Sequence, residues 1–229
     1  GVTWVSDAFK LGSGCYSYDG TNDKVETGDK FGFLTQTGSI AFWMKPTTFN
    51  DNDVLFDSCN ASSSNSGVIC KVASASNLIT FLIARGGSSS SLNYTFGSDP
   101  SGKWTHLAFT YDGSQNASGV KIYVDGYEDT FRQVLSNNLT GTMSDYNTPF
   151  MIGGSYNSYS NNRYGSNQFM SNAMYFESEL SASDILTLYN NGVPLNDLSS
   201  FTTVKGWWKL DDTATYGAGW TVPDSSGNG

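Results

Sequence analysis

Basic residues and histidine are scarce in this 229-residue chain, where Lys and Arg together number 12 against 21 Asp and Glu. The formal net charge is therefore -9 at pH 7. Proteins that bind nucleic acid through its phosphates need clustered Lys and Arg to release counterions, so we predict no nucleic-acid partner. The acidity itself identifies no ligand, because self-repulsion that favours solubility explains it as well as cation binding does.

Long apolar runs are also missing. No stretch approaches the roughly 18 consecutive apolar residues that a membrane-spanning helix needs, so the sequence predicts no membrane insertion. Charged residues make up only 14% of the chain, whereas Ser, Thr, Asn, Gly and Tyr are abundant. This composition predicts a surface of hydroxyl and amide groups, which is common in proteins that work outside cells.

Residue patterns that carry catalysis are equally rare. The single histidine, His106, lies inside a predicted strand, where a packing role is far commoner than a catalytic one. The paired carboxylates of retaining glucanases, E-x-D-x-E or E-x-D-x-x-E, do not occur, and the nearest acidic clusters, Glu128 with Asp129 and Glu177 with Glu179, flank predicted turns. Zinc, P-loop and nucleophile-elbow spacings are missing as well. We therefore expect no enzymatic activity.

What the sequence does contain is a series of short strand patterns separated by turn residues. Residues 104–111 alternate as a pleated strand does and lead into Asp112-Gly113, and residues 120–124 lead into Asp125-Gly126. Further strands are predicted at residues 15–18, 24–26, 39–45, 54–59, 68–72, 78–84, 91–96, 150–153, 168–176 and 205–210. This pattern predicts an all-β fold.

One short helix is predicted after these strands. Ser181 or Ser183 is suited to cap its N-terminus, Ile185 and Leu188 share one face, and Gly192 is expected to end it.

Six sequence blocks together resemble one family, the laminin-G-like, concanavalin A-like jelly-roll domains. The blocks are YSYDGTNDKVE at 16–26, SIAFWMKP at 39–46, WTHLAFTYDG at 104–113, KIYVDG at 121–126, PFMIGG at 149–154 and ELSASDILTLYNNG at 179–192. They run over nearly the whole chain in the family's order. The resemblance implies a two-sheet antiparallel jelly-roll sandwich with one short helix and a structural role for His106.

The chain ends depart from the family's pattern. In the resembling family an aromatic strand and a D-S-S-G-N-G turn come near the start of the domain, whereas here GWWKLDD at 206–212 and DSSGNG at 224–229 stand last. We predict one domain over residues 1–229, with 206–229 as a permuted or tandem-repeat-derived strand and turn that closes the fold. Pairing of that segment with a neighbouring molecule is the alternative.

Three cysteines are too few for a disulfide scaffold, but two of them flank a Ser/Asn/Gly-rich hairpin loop. A cross-strand disulfide between Cys59 and Cys70 is one expectation, and two free, buried thiols on neighbouring strands are the other. Cys15 is expected to be an unpaired packing residue.

Two turns are rich in the hard oxygen ligands that calcium prefers. Asp19 and Asp23 belong to the first, and Asp224 and Asn228 to the second. The resemblance implies that the two turns approach each other, so a structural calcium ion is predicted there. The alternative is that Asp and Asn serve only as turn residues that bond their own backbone.

Ligand binding would fall to aromatic and amide side chains, since sugars stack on aromatic rings and bond to amides. The richest segment carries the predicted ligand residues Tyr146, Tyr156, Tyr159, Asn161, Asn162, Arg163 and Tyr164. Trp207 and Trp208 are neighbours on a strand and must point to opposite faces, so one is expected in the core.

These observations favour a non-catalytic recognition or adhesion module of an extracellular, cell-surface or virion surface protein, with a glycan or other cell-surface ligand as partner. The alternative is a structural repeat of a fibre, phage particle or surface layer that self-associates with copies of itself.

Overall fold

The computed structural model describes residues 2–5, 14–19, 23–28, 37–48, 53–59, 66–73, 77–85, 88–130, 133–140, 149–155, 167–216 and 220–228. Strands occupy about half of this part of the chain. They are β1 (Thr3–Val5), β2 (Cys15–Asp19), β3 (Val25–Glu26), β4 (Gly38–Pro46), β5 (Val54–Asp57), β6 (Gly67–Val72), β7 (Leu78–Arg85), β8 (Ser88–Thr95), β9 (Thr105–Tyr111), β10 (Val120–Val124), β11 (Tyr127–Glu128), β12 (Gln133–Asn137), β13 (Met151–Ile152), β14 (Asn167–Phe176), β15 (Val204–Trp208), β16 (Thr215–Tyr216) and β17 (Trp220–Thr221).

The strands form two antiparallel sheets that pack face to face. The first sheet has the order β1-β2-β14-β4-β9-β10-β11, with β15 also paired to β14, and the second has the order β12-β8-β7-β6-β5-β13-β3. Strands β16 and β17 form a separate two-stranded ribbon. The predicted all-β, two-sheet jelly-roll sandwich is confirmed.

Phenylalanine rings fill the space between the sheets. Phe56 of the second sheet lies with its ring centroid 5.8 Å from those of Phe42 and Phe109 of the first sheet, and 6.1 Å from that of Phe81. Phe81 and Phe109 stack at 4.8 Å across the sandwich. Because full burial of such a side chain contributes roughly 1.5–3 kcal/mol, this ring cluster is a large part of what holds the sheets together.

The helix α1 (Ala182–Tyr189) packs on the outer side of the first sheet. Ser181 caps it, and the Asp184 carboxylate accepts a hydrogen bond from the Ser181 backbone N–H, so the predicted start is confirmed. Ile185 and Leu188 enter the cluster that we call the outer cluster, which comprises Ala41, Ala108, Tyr123, Met174, Phe176, Leu180, Ile185, Leu188, Leu198, Phe201 and Trp207. The helix ends earlier than predicted, because Asn190 takes the left-handed conformation that ends it.

The turn between β10 and β11 shows why the Asp125-Gly126 pair predicted a hairpin. Asp125 and Gly126 both have positive φ, 49° and 85°, as a two-residue hairpin turn requires. The Asp125 carboxylate also accepts a hydrogen bond from the backbone N–H of His106 at 2.9 Å. By contrast, β1, β11, β12, β16 and β17 were not predicted, because they are short or carry no alternating apolar pattern.

Two strands from opposite ends of the chain share one edge of β14. Residues 167–170 of β14 pair with β2, and residues 173–176 pair with β15. Strand β15 thus continues the position of β2 along the sheet, and in the described part of the chain the C-terminal segment pairs within its own molecule.

Asn172 lies at the junction of these two pairings. It has a φ of 53°, is fully buried, and its backbone N–H donates to the carbonyl of Lys209 at 2.8 Å. Its side-chain oxygen accepts from the indole N–H of Trp207 at 2.5 Å, and its amide N–H donates to the carbonyl of Leu195 at 3.4 Å. One side chain therefore fixes β15 and the segment before it to the sheet.

The two neighbouring tryptophans of β15 face opposite ways, as predicted. Trp208 is in the core between the sheets, where it stacks on Phe150 at 5.8 Å, and Trp207 is in the outer cluster.

The predicted disulfide is wrong in this structure, since Cys59 and Cys70 are free, buried thiols. Strand register explains why. Cys70 pairs with Phe56, whereas hydrogen bonding of Ser58 to Val68 sets Cys59 opposite Gly67. Cys70 lies three positions along β6 from Gly67, the residue opposite Cys59. Three positions along a strand amount to roughly 10 Å, beyond the ~7 Å that a disulfide spans between Cα atoms.

The two thiols also lie on opposite faces of the second sheet. Cys70 belongs to the core between the sheets, and Cys59 packs outside with Val54 and Ile69. Burial raises the pKa of both thiols well above the ordinary value, with the nearby Asp57 carboxylate adding to the effect at Cys59. Cys15 is buried as well and forms no disulfide.

Replacing Asn172 by Ala should lower the free energy of unfolding by about 2–4 kcal/mol, because a buried indole N–H loses its acceptor and Ala tolerates the left-handed conformation less well than Asn does. Urea denaturation monitored by tryptophan fluorescence measures this. Asn190→Ala, at another left-handed position with φ 45°, is the matched control and should cost only about 1 kcal/mol. Equal losses in the two variants would contradict the role of the side-chain bonds.

In protein purified without reductant and then denatured, all three cysteines should react with a thiol reagent. In the folded protein the reaction should be slow, because buried thiols form little thiolate. Adding reductant should leave the melting temperature unchanged. A count of one thiol in denaturant would mean that the bridge forms after all.

Candidate functional site

A pocket of about 380 Å³ opens beside the C-terminal turn, next to the outer cluster. Its two walls are the chain segments on either side of β15, which that strand holds together. The described lining residues are Asp197, Leu198, Ser199, Phe201, Thr202, Val204, Trp207, Ser225, Ser226 and Asn228.

The first wall is a turn that Asp197 organises. The Asp197 carboxylate accepts from the backbone N–H of Ser199 at 2.8 Å and from its hydroxyl at 3.0 Å. These bonds from Ser199 hold the pKa of the exposed Asp197 carboxyl below its usual value. The pocket rim therefore carries a fixed negative charge at neutral pH.

The second wall is the DSSGNG turn, and Asp224 organises it in the same way. Its Oδ1 accepts from the backbone N–H groups of Trp207 at 2.8 Å and Ser226 at 2.9 Å, and its Oδ2 accepts from the Ser226 hydroxyl at 2.7 Å. The side-chain amide of Asn228 donates to the carbonyl of Val204 at 2.9 Å. The turn is thus bonded along β15.

The floor of the pocket is apolar but mostly covered. Trp207 is 5% exposed and Phe201 is 8% exposed. The ammonium of Lys209 lies over the Trp207 ring, 4.6 Å from its centroid. The floor therefore offers van der Waals contact, and it is not an open platform on which a sugar ring could stack.

Polar groups at the rim remain available for a ligand. The hydroxyls of Thr202 and Ser225 and the side-chain oxygen of Asn228 make no hydrogen bond to the residues that the structure describes. Hydroxyl, amide and carboxylate groups around a concave apolar floor suit a polyhydroxylated ligand, since each hydroxyl can both donate and accept.

The ligand residues predicted from the sequence, Tyr146, Tyr156, Tyr159, Asn161, Asn162, Arg163 and Tyr164, lie outside the described residues. Their role stays a prediction. Of the pocket residues, the sequence had singled out only Trp207 and the DSSGNG turn. The Asp197 turn was missed, although its signal was present: Asp99 with Ser101 and Asp112 with Ser114 repeat the same Asp-x-Ser pattern and the same bond.

The two turns predicted to share calcium do not meet. Asp19 pairs with Asn167 at one end of β14, whereas Asp224 is bonded to Trp207, which pairs with Met174 near the other end. Seven positions along a strand separate them by about 20 Å, so one ion cannot bind both. Within the described residues, no group of three or more His, Cys, Asp and Glu side chains could hold a metal ion.

The residues considered for catalysis in the sequence do not line this pocket. His106 is fully buried, with its ring 5.1 Å from that of Trp43 and 6.2 Å from that of Tyr189. Glu179 forms an ion pair with Lys121 at 2.7 Å, and Glu177 pairs with Lys205 at 3.4 Å. These groups take part in packing and surface pairing.

Residues 19–186 match the sequence model described as the concanavalin A-like lectin/glucanases superfamily. The chain belongs to this superfamily. A search of curated proteins found no match.

Solved structures share the fold at low sequence identity. A protein of Bacteroides ovatus, described as a candidate carbohydrate binding protein, is 18% identical with a TM-score of 0.63, over 93% of this chain and 56% of that one. The binding domain of botulinum neurotoxin DC in complex with SialylT is 15% identical with a TM-score of 0.59, over 83% and 44%. The heptameric SAP-like pentraxin of Limulus polyphemus is 14% identical with a TM-score of 0.56, over 92% and 94%. The chain spans about half the length of the first two.

Proposed function

We propose that this protein is a non-catalytic glycan-binding module and that the pocket beside the C-terminal turn contributes to binding. The observation that carries the proposal is the rim of Asp197, Ser199, Thr202, Ser225 and Asn228 around an apolar floor. Fold alone does not fix function, so the proposal depends on this site and not on the superfamily as such.

Structures with the same fold support the choice of ligand class. The names of the Bacteroides ovatus protein and of the neurotoxin complexes refer to binding of carbohydrate, SialylT or ganglioside. Another neurotoxin complex contains a protein partner, synaptotagmin II. Binding of glycan by the present chain is the inference that its own pocket chemistry favours.

The setting that we propose is the outside of a cell or the surface of a virion. The composition, rich in Ser, Thr, Asn and Gly with few charges, supports this. No helix among the described residues is long and apolar enough to cross a membrane.

A second candidate function, a structural module that packs against copies of itself, is favoured by one observation. Strand β12, at the edge of the second sheet, has the uncharged sequence QVLSN, and Val134 and Leu135 are 51% and 50% exposed. Such an edge can pair with another chain, although the irregular register between Val134 and Ser136 weakens that tendency.

A structural calcium ion remains part of the proposal, at the first turn only. Asp23 is 1% exposed, and its Oδ2 accepts from the backbone N–H of Asp19 at 2.8 Å, so the Asp23 carboxylate lies against the backbone of Asp19, which brings a second carboxylate to the same turn. Such hard oxygens fit calcium, with further ligands from backbone carbonyls or water. The oxygens of Asp224 are instead bonded to their own turn and to β15.

The wild-type protein should bind a subset of glycans on an array, and the double change Thr202→Ala with Asn228→Ala should weaken that binding by about tenfold, because two rim groups are lost. Calorimetry with the best glycan measures the change. Thr95→Ala, at an exposed threonine on the other sheet, is the control and should bind as wild type does.

The double change Tyr159→Ala with Tyr164→Ala separates the two predicted binding regions. If this variant loses glycan binding while the pocket variant keeps it, the binding site lies in the tyrosine-rich segment. Absence of any glycan binding, together with assembly seen by light scattering, would favour the structural function instead.

Calcium chloride should raise the melting temperature of the wild-type protein relative to a chelator. Asp23→Asn should abolish this calcium-dependent shift, whereas Asp224→Asn should retain it, even if either change lowers the melting temperature itself. An equal shift in both variants would place the ion elsewhere.

A further inference from the structure

We propose that the pocket accepts an electrically neutral sugar and discriminates against sugars that carry a carboxylate. This inference rests on the proposed function, because it names the class of glycan that the same site would take. It concerns the choice between neutral and acidic sugars that otherwise have the same ring.

The lining of the pocket itself carries charge of one sign. Asp197 is the one ionisable side chain among its described lining residues. The ammonium of Lys209, whose charge contributes to the lowered pKa of Asp197, lies over the ring of Trp207, and Lys205 pairs with Glu177. No described lining residue is therefore placed to neutralise an incoming carboxylate.

The negative charge of Asp197 persists into mildly acidic solution. Its pKa is lowered first by the backbone N–H of Ser199 and then by the Ser199 hydroxyl. A carboxyl with a lowered pKa protonates only when the pH falls below its ordinary range, so the charge is present throughout the range in which binding is measured.

The hydrogen-bonding groups at the rim point to the same ligand class. The side-chain oxygen of Asn228 and the carboxylate of Asp197 can only accept, so they require a ligand that donates. Sugar hydroxyls donate, whereas a carboxylate only accepts. At these two groups the carboxylate of an acidic sugar would set acceptors against acceptors, and at Asp197 also like charges against each other, and both arrangements work against binding.

The size of the pocket limits how much of a glycan it can hold. A volume of about 380 Å³ lies near the lower end of the 300–1,000 Å³ range of ligand pockets. It is therefore suited to a terminal sugar and not to a long stretch of chain.

The experiment is an array of matched pairs, in which each neutral glycan is also present with a carboxylate on its terminal sugar, such as a glucoside and the corresponding glucuronide. Wild-type protein should bind the neutral member about tenfold more tightly, as expected for one unfavourable charge contact near the surface. Asp197→Asn, which keeps the shape and can still accept from Ser199, should reduce the difference to less than about threefold.

The matched control is Asp99→Asn. Asp99 has the same bond to the serine two residues on and a pKa lowered by the same cause, but it does not line the pocket. This variant should keep the wild-type preference, although it removes the same charge from the protein as a whole.

The outcomes separate the two proposals. If wild-type protein binds no member of any pair, the proposed function fails. If it binds glycans but prefers acidic members, or if Asp197→Asn and Asp99→Asn keep the same preference, the function stands and this inference is overturned.

Discussion

The fold and the pocket both depend on the way Asn172 joins β14 to the C-terminal strand. At this residue β14 changes its partner on one edge from β2 to β15, and the chain makes the change with a positive φ in a fully buried position. The side chain then bonds the indole of Trp207 and the carbonyl of Leu195. A buried left-handed residue is unfavourable by itself, so these bonds are what make the junction stable.

The placement of β15 has consequences on both sides of the first sheet. Trp208 extends the ring cluster between the sheets through its contact with Phe150, and Trp207 completes the outer cluster beneath helix α1. The backbone of β15 also forms hydrogen bonds with Asp224 and Asn228 of the turn that makes one pocket wall. A single strand therefore couples the core, the outer packing and the candidate binding site.

Much of the fold could be predicted because its signals are local. Alternation in residues 104–111, the Asp125-Gly126 turn and the Ser181 cap each depend on neighbours within a few positions, and each is found in the structure. The opposite directions of Trp207 and Trp208 follow from strand geometry alone. Short strands such as β16 and β17 lack any comparable pattern.

What could not be predicted depends on pairing between distant residues. The spacing of Cys59 and Cys70 suited a hairpin, but the actual register sets them three positions apart and on opposite faces. The two candidate calcium turns share a composition but lie at opposite ends of β14. The role of Asn172 could not be predicted from its neighbours in sequence, because its bonding partner Trp207 is 35 residues away along the chain.

Different residues of the pocket region hold its structure and offer groups to a ligand. Asp224, Asn172 and the backbone of β15 set the shape of the walls, whereas Thr202 and Ser225 contribute only hydroxyls that make no bond to the described residues. Substitutions at these rim positions can therefore alter what the surface recognises while leaving the framework intact. A scaffold built in this way can diversify its preferences over evolution, or be retargeted by engineering, without first having to be stabilised.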